Sequence, residues 1–258
     1  MRKITINLAA VAAFCIVVAS PALVSSSCAT PKTEQEDTTI IREDSGITAL
    51  KYSSPEVPAS IEFCGKTIDL SRFDRHERMD RELLAFTYMH STSLQMLKKA
   101  NRYFPIVEPI LKENGIPDDF KYLMVIESNM NPTARSSAGA AGLWQFMQGT
   151  GRDYGLEVNN NVDERYHIEK ATRAACRYLK DAYAKYKDWV AVAASYNAGQ
   201  ARIASQLAKQ DVDDSLDLQL VEETARYVYR ILAAKQLFNA PTTFGFRLRA
   251  SDLYPPIP

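Results

Sequence analysis

In PDDFKYLMVIES, residues 117–128, Phe120, Leu123, Met124 and Glu127 fall at i, i+3, i+4 and i+7. A helix over this stretch carries the carboxylate of Glu127 on its apolar face, where an aliphatic side chain is the ordinary occupant. Apolar neighbours make a carboxylate costly to ionise and raise its pKa, which suits a general acid working near neutral pH. The same residue could instead end the helix and turn to water, or pair with an arginine. Pro117, Asp118 and Asp119 open the helix, the acids favouring its positive end.

The stretch that follows, SSAGAAGLWQFMQGTGRDYG at 136–155, holds Gly139, Gly142, Gly149, Gly151 and Gly155, half of the ten glycines in the chain. Glycine at that density serves tight turns or close approach of a ligand to the main chain. Trp144 and Gln145 sit among them. An aromatic ring beside an amide suits a sugar, whose faces are apolar and whose edges carry hydroxyl and amide groups. A glycine-rich connector around one buried Trp is the plainer alternative.

Outward from this centre, helical periods dominate. Glu77 to Ala100 is rich in helix formers, and Pro105 closely precedes a second amphipathic run that stops at Asn114 and Gly115. Ile168, Ala171, Ala175, Tyr178, Leu179, Ala182 and Tyr186 form one stripe at helical spacing. A shorter helix is predicted from Trp189 to Tyr196, stopping at Asn197 and Gly199. A long one is predicted over Leu218 to Phe238, with Thr224, Tyr227, Val228 and Ile231 on one face. Only IEFCGKTIDL, around Cys64 and Gly65, reads as a small hairpin. The expected fold class is therefore mainly α.

The 258 residues, 46% hydrophobic and 24% charged, can bury one core and little more. Thirty-one basic residues balance thirty-one acidic ones, so no global field favours nucleic acid. Arg2 and Lys3 precede an apolar run from Leu8 to Ala19, too short for a membrane span, which reads as a secretory signal. The stretch VSSSC ending at Cys28 resembles a loose bacterial lipoprotein cleavage site, with Ser25 where a larger aliphatic residue is usual; plain secretion is the alternative. From Ala29 to about Ser60 the composition suits a flexible tether. The expected division is a signal peptide at 1–27, a tether at 28–60, a hairpin and lead-in at 61–75, the main domain at 76–245 and a tail at 246–258. If Cys15 leaves with the signal and Cys28 carries lipid, Cys64 and Cys176 remain, and spacing leaves their pairing open. No metal-ligand spacing is present, and His76, His90 and His167 lie far apart. No cofactor is expected.

Three separated motifs, ESNMNPTARSSAGAAGLWQFM, AASYNAG and ETARYV, resemble in order and spacing the lytic transglycosylases of the soluble-lytic-transglycosylase type, within the goose-type lysozyme-like superfamily. The likeness covers about Glu77 to Phe238. The approach NRYFPIVEPILKENGIPDDFKYLMVIES is most similar to the membrane-bound lytic murein transglycosylase D branch. Many members of that branch carry C-terminal LysM modules; this chain shows none before Pro258, so its own groove is expected to supply most of the glycan affinity.

The resemblance implies roles. Glu127 matches the catalytic acid/base, followed by Ser128. Ser136, nine residues on, matches a serine that helps orient the carboxylate. Gly142, Leu143 and Gln145 match the Gly-Leu-x-Gln motif, whose glutamine contacts the sugar, with Trp144 where many relatives have methionine. Tyr196 and Asn197 match a motif whose asparagine lines the groove, here with Ser195 before the tyrosine. Tyr227 matches a tyrosine whose hydroxyl is expected to reach the carboxylate. The implied activity is cleavage of the β-1,4 bond between N-acetylmuramic acid and N-acetylglucosamine, leaving 1,6-anhydro ends, on peptidoglycan strands at the periplasmic side of the envelope. The implied address is the outer membrane, through lipid on Cys28. A hydrolytic muramidase using a second carboxylate, for which Glu223 is the candidate, and an idle glycan-binding protein are the alternatives.

Overall fold

The structure is a computed structural model, and it describes residues 54–257. The signal segment, Cys28 and the tether up to Ser53 lie outside the described residues. Among the described residues no helix is long and apolar enough to cross a membrane.

The hairpin forms. Strands β1 (Ser60–Phe63) and β2 (Lys66–Asp69) pair antiparallel with Ile61 opposite Ile68. Cys64 and Gly65 both have positive φ, 53° and 81°, the mirror-image turn whose twist matches two adjoining strands. Ile61, Phe63 and Ile68 face the core. The hairpin is fastened by Asp119, which accepts from the Cys64 N–H at 2.6 Å and pairs with Lys235 at 2.7 Å. The acid expected to favour a helix end thus clamps the hairpin instead. Cys64 and Cys176 are both free thiols, the second buried against the Ile110 carbonyl.

Among the described residues eight α-helices follow: α1 (Phe73–Tyr88), α2 (His90–Glu113), α3 (Phe120–Ser128), α4 (Gln148–Asp153), α5 (Ile168–Tyr186), α6 (Trp189–Ala198), α7 (Gln200–Lys209) and α8 (Glu222–Asn239). The fold is mainly α with one small hairpin, as its residue patterns predict. The helix boundaries at 77–113 differ from expectation. The chain breaks at Met89, and α2 runs straight through Pro105 and Pro109. Each proline deletes one helical hydrogen bond, at about 3 kcal/mol in a helix interior. Both lie on the exposed face, where water can reach the freed carbonyls of Asn101 and Pro105, while Met96, Leu97, Tyr103, Val107, Ile110 and Leu111 bury the other face. Burying each of these contributes roughly 1.5–3 kcal/mol, so the continuous apolar face outweighs the prolines. The break at Met89 is closed by Ser93, whose hydroxyl donates to the Phe86 carbonyl at 2.6 Å.

Helix α6 is buried from Val190 to Ser195 and packs on α5, α7 and α8; α3 packs on α2 and α8. A helix apolar on all sides belongs inside a bundle, and this arrangement brings the end of α3 against α8. Helix α8 begins at Glu222 rather than Leu218, because Asp214 and Asp217 hold the preceding turn to Arg75 at 2.9 and 3.0 Å. Helices α4 and α7 were not expected. The first hides in the glycine-rich stretch, and the second restarts at once after Gly199, whose φ of +86° makes a corner rather than an end.

Candidate active site

Glu127 occupies the last turn of α3 and is half-buried. The helix stops immediately after it, because Asn129 and Met130 adopt left-handed backbone at φ 49° and 55°. Two successive residues in that region each cost on the order of 1 kcal/mol, and Met130, fully buried, is held there by the core. Tyr227, on the buried face of α8, donates its hydroxyl to Glu127 Oε1. Apolar surroundings push the Glu127 pKa up to about 7; the Tyr227 hydrogen bond and the charge of Arg230 pull the other way, and Glu223 adds slightly to the rise. Burial also holds Tyr227 and Tyr196 well above the ordinary phenol value, so both remain hydroxyl donors.

Glu127 opens into a cleft of about 570 Å³ whose wall includes Asn131, Arg135, Ser136 and Gln145. The glycine-rich loop makes this wall. Small bridges join Arg135 to Ala141 and Ala141 to Phe146. The loop is built around Arg165, a residue that sequence reading missed. Its buried guanidinium donates to the carbonyls of Gly139 at 2.8 Å and Phe146 at 3.0 Å and pairs with Asp163 at 2.7 Å. No periodicity marks Arg165 in the sequence, since its work is on distant backbone carbonyls. Gly142, at φ +78°, lies so close to it that an added Cβ would stand 1.9 Å from the Arg165 carbonyl oxygen.

Gln145 Nε2 donates to the carbonyls of Gly142 at 2.8 Å and Ala134 at 3.2 Å. Carbonyls only accept, so the amide orientation is fixed and Oε1 is the atom left for a ligand. The Ser136 hydroxyl accepts from the Ala140 N–H at 3.0 Å and makes no hydrogen bond to Glu127, although both line the cleft. Trp144 corrects the expectation of a sugar-stacking ring. It is fully buried, with its indole N–H given to Thr172 Oγ1 at 2.9 Å. The reason is the tight loop, which turns the ring inward and leaves the neighbouring amide outward. Tyr196 lies beneath, its ring 6.5 Å from Trp144 and its hydroxyl on the Trp144 carbonyl at 2.8 Å, so it braces the loop.

Asn197 accepts from the Thr224 hydroxyl at 2.8 Å and offers Nδ2 to Glu223 Oε1 at 3.4 Å. The carboxylate can only accept, which again settles the amide. Glu223 is exposed and engaged with Asn197, and it does not line the Glu127 cleft.

The bundle pins one raised-pKa carboxylate under a glycine-built cleft, and known proteins match parts of this chain. Residues 105–217 match the transglycosylase SLT domain. The chain is 30% identical over 181 residues to the membrane-bound lytic murein transglycosylase D of Escherichia coli K12, covering 68% of this chain and 39% of that one. It is 29% identical over 150 residues to the membrane-bound lytic murein transglycosylase C of Haemophilus ducreyi, covering 52% and 40%. Among solved structures, the 70 kDa soluble lytic transglycosylase of Escherichia coli superposes with a TM-score of 0.49 at 19% identity, over 68% of this chain and 32% of that one. The match to the transglycosylase SLT domain family extends over residues 105–217. The chain spans about two fifths of the length of the curated relatives it matches.

Proposed function

We propose that this chain is a peptidoglycan lytic transglycosylase that cleaves the β-1,4 bond between N-acetylmuramic acid and N-acetylglucosamine, with Glu127 as acid and then base. The observation that carries this reading is that Glu127 is the one carboxylate lining its cleft among the described residues. It is fixed by Tyr227 and raised to about 7. A glycosidase of the usual kind needs a second carboxylate, as nucleophile or to activate water. With one, the substrate supplies the rest. Glu127 protonates the glycosidic oxygen while the 2-acetamido group stabilises the anomeric carbon from the opposite face. As carboxylate it then takes the proton of the sugar's C6 hydroxyl, which closes onto C1 to leave a 1,6-anhydro end. Gln145 Oε1 holds the sugar from the cleft wall, on which Ser136 also stands. Gly142 and Tyr196 set the loop that presents these groups. The remaining parts of the reading are localisation at the periplasmic side of the envelope, secretion by the N-terminal signal, and anchoring by lipid on Cys28.

Product chemistry tests it. Muropeptides released from purified sacculi are expected to end in 1,6-anhydro-N-acetylmuramic acid, to weigh one water less than hydrolysed ones, and to take up no heavy oxygen from labelled water. Mainly reducing, oxygen-labelled ends would give the activity to a hydrolase and turn the search for a water-activating group to Glu223.

Tyr227→Phe separates an orienting hydroxyl from a packing ring. A hydrogen bond to a charged group is worth about 1.5–3 kcal/mol, roughly ten- to a hundredfold in rate. Turnover is expected to fall by that factor. Losing the donor also removes an influence that lowers the Glu127 pKa, so the limb where activity is lost with rising pH should move upward. A pure packing role predicts unchanged turnover and an unmoved limb.

A further inference from the structure

Asn129 lines a second cavity as well as the Glu127 cleft. This one, about 330 Å³, opens between the ends of α1 and α3 and the side of α8. Phe86, Met89 and Ile126 give it an apolar wall, and Arg226 and Arg230 a charged one.

The two arginines are not equivalent. Arg226 Nε donates to Glu82 Oε1 at 2.6 Å, and that carboxylate is buried to 2% exposure. Arg230 comes no nearer to the same carboxylate than 3.6 Å, too long for a hydrogen bond, and its side chain is 39% exposed. The cavity therefore holds two positive charges against one negative. Arg230 keeps its guanidinium donors without a hydrogen-bond acceptor among the described residues. At the shared edge, Lys99 Nζ approaches the Asn129 carbonyl at 3.5 Å and adds a third cation.

A guanidinium with a free fork beside an apolar wall is matched to a carboxylate, which it can grip through two parallel hydrogen bonds. In peptidoglycan the repeating sugars are neutral, and carboxylates are carried by the short peptide on the lactyl ether of the muramic sugar. We infer that the Arg230 cavity is a carboxylate subsite for the peptide borne by the sugar at the scissile bond, so that the chain reads a stem peptide as well as a glycan. The inference rests on the transglycosylase reading above and specifies its substrate: strands whose stem peptides carry free carboxylates over strands whose stem carboxylates are amidated.

The measurement is kcat/KM on stem-bearing glycan strands divided by kcat/KM on the same strands with their peptide carboxylates converted to primary amides, which removes the charge and leaves the lactyl group capped. Taking the ratio cancels whatever the loss of the Arg230 charge does to Glu127 on both substrates. The wild-type ratio should lie well above one. Arg230→Gln should lower it about ten- to a hundredfold, the value of a hydrogen bond to a charged group expressed as rate. Arg230→Lys should keep part of it, as a charge without the planar fork. A wild-type ratio near one, or a ratio unmoved by Arg230→Gln, would overturn the subsite while leaving the transglycosylase reading standing; a chain that cleaves neither substrate would sink both. Should Arg230→Gln fail to fold, the unmodified chain still decides. Its Arg230 Nε–Hε resonance should shift on titration with L-alanyl-D-glutamate and stay in place with the corresponding diamide, and an unmoved signal in both titrations overturns the subsite.

Discussion

Glu127→Gln is expected to lower turnover on sacculi by about a hundredfold to ten-thousandfold, the usual worth of general acid/base help, while glycan binding is retained. The amide keeps the shape of the carboxyl and can still accept from Tyr227, but it cannot deliver a proton. The same substitution should change stability in a pH-dependent way. The Glu127 pKa rises from 4.5 to about 7 on folding, so the folded chain holds that proton more tightly than the unfolded one. Below about pH 4.5 both states are protonated and the residue is neutral in its effect. As pH climbs through 7 the folded state must ionise a half-buried group, and stability is lost, by roughly 3 kcal/mol when ionisation is complete. Gln has nothing to ionise. The variant should therefore unfold at a higher denaturant concentration than the wild type at pH 8 and at nearly the same one at pH 4. Near-wild-type digestion would remove Glu127 from the chemistry, and a stability difference independent of pH would remove the account of its burial.

Gly142→Ala should be the most damaging change of a single methyl group in the loop. Its Cβ would meet the Arg165 carbonyl oxygen at 1.9 Å and the carbonyl carbon at 2.8 Å, both backbone atoms that cannot swing away. Overpacking typically costs 1–3 kcal/mol, and the left-handed φ of +78° adds about 1 more. A shift of Gly142 would also disturb its N–H bond to Ala134 and the carbonyl that Gln145 holds. A loss of roughly 3 kcal/mol or more in stability is expected, together with loss of activity. Gly139→Ala is the control, since its φ is similarly positive, +88°, but its Cβ would meet nothing within 4 Å. Equal denaturation midpoints for the two variants would show that the loop is not packed against Arg165 as described.

The reach of the sequence differs from element to element. The Ile168 to Tyr186 stripe became α5 without change, because a long amphipathic period encodes its own helix and its own buried face. The hairpin was legible from one dipeptide, since Cys64 and Gly65 take the φ values its turn requires. Glu127 stood out because a carboxylate at an apolar helical position is a local contradiction, and the structure shows it half-buried and hydrogen-bonded by Tyr227. By contrast, Pro105 argued for a break that the core overruled, and Trp144 argued for a surface ring that the loop turned inward. In each case a local preference of a few kcal/mol yielded to burial supplied by residues far away in sequence.

The sequence by itself determined the helical class, the hairpin, a carboxylate on the apolar face of a helix, and motifs that resemble a known family. The tertiary structure makes the contact that the ETARYV motif implied, Tyr227 donating to Glu127 a hundred residues away. It alone decided that Arg165 holds up the glycine loop, that Glu223 is occupied with Asn197, and that Arg230 is left with donors to spare. Periodicity reports which face of an element is apolar, because that pattern is local. Hydrogen bonds between distant side chains depend on how helices cross, which no local pattern encodes.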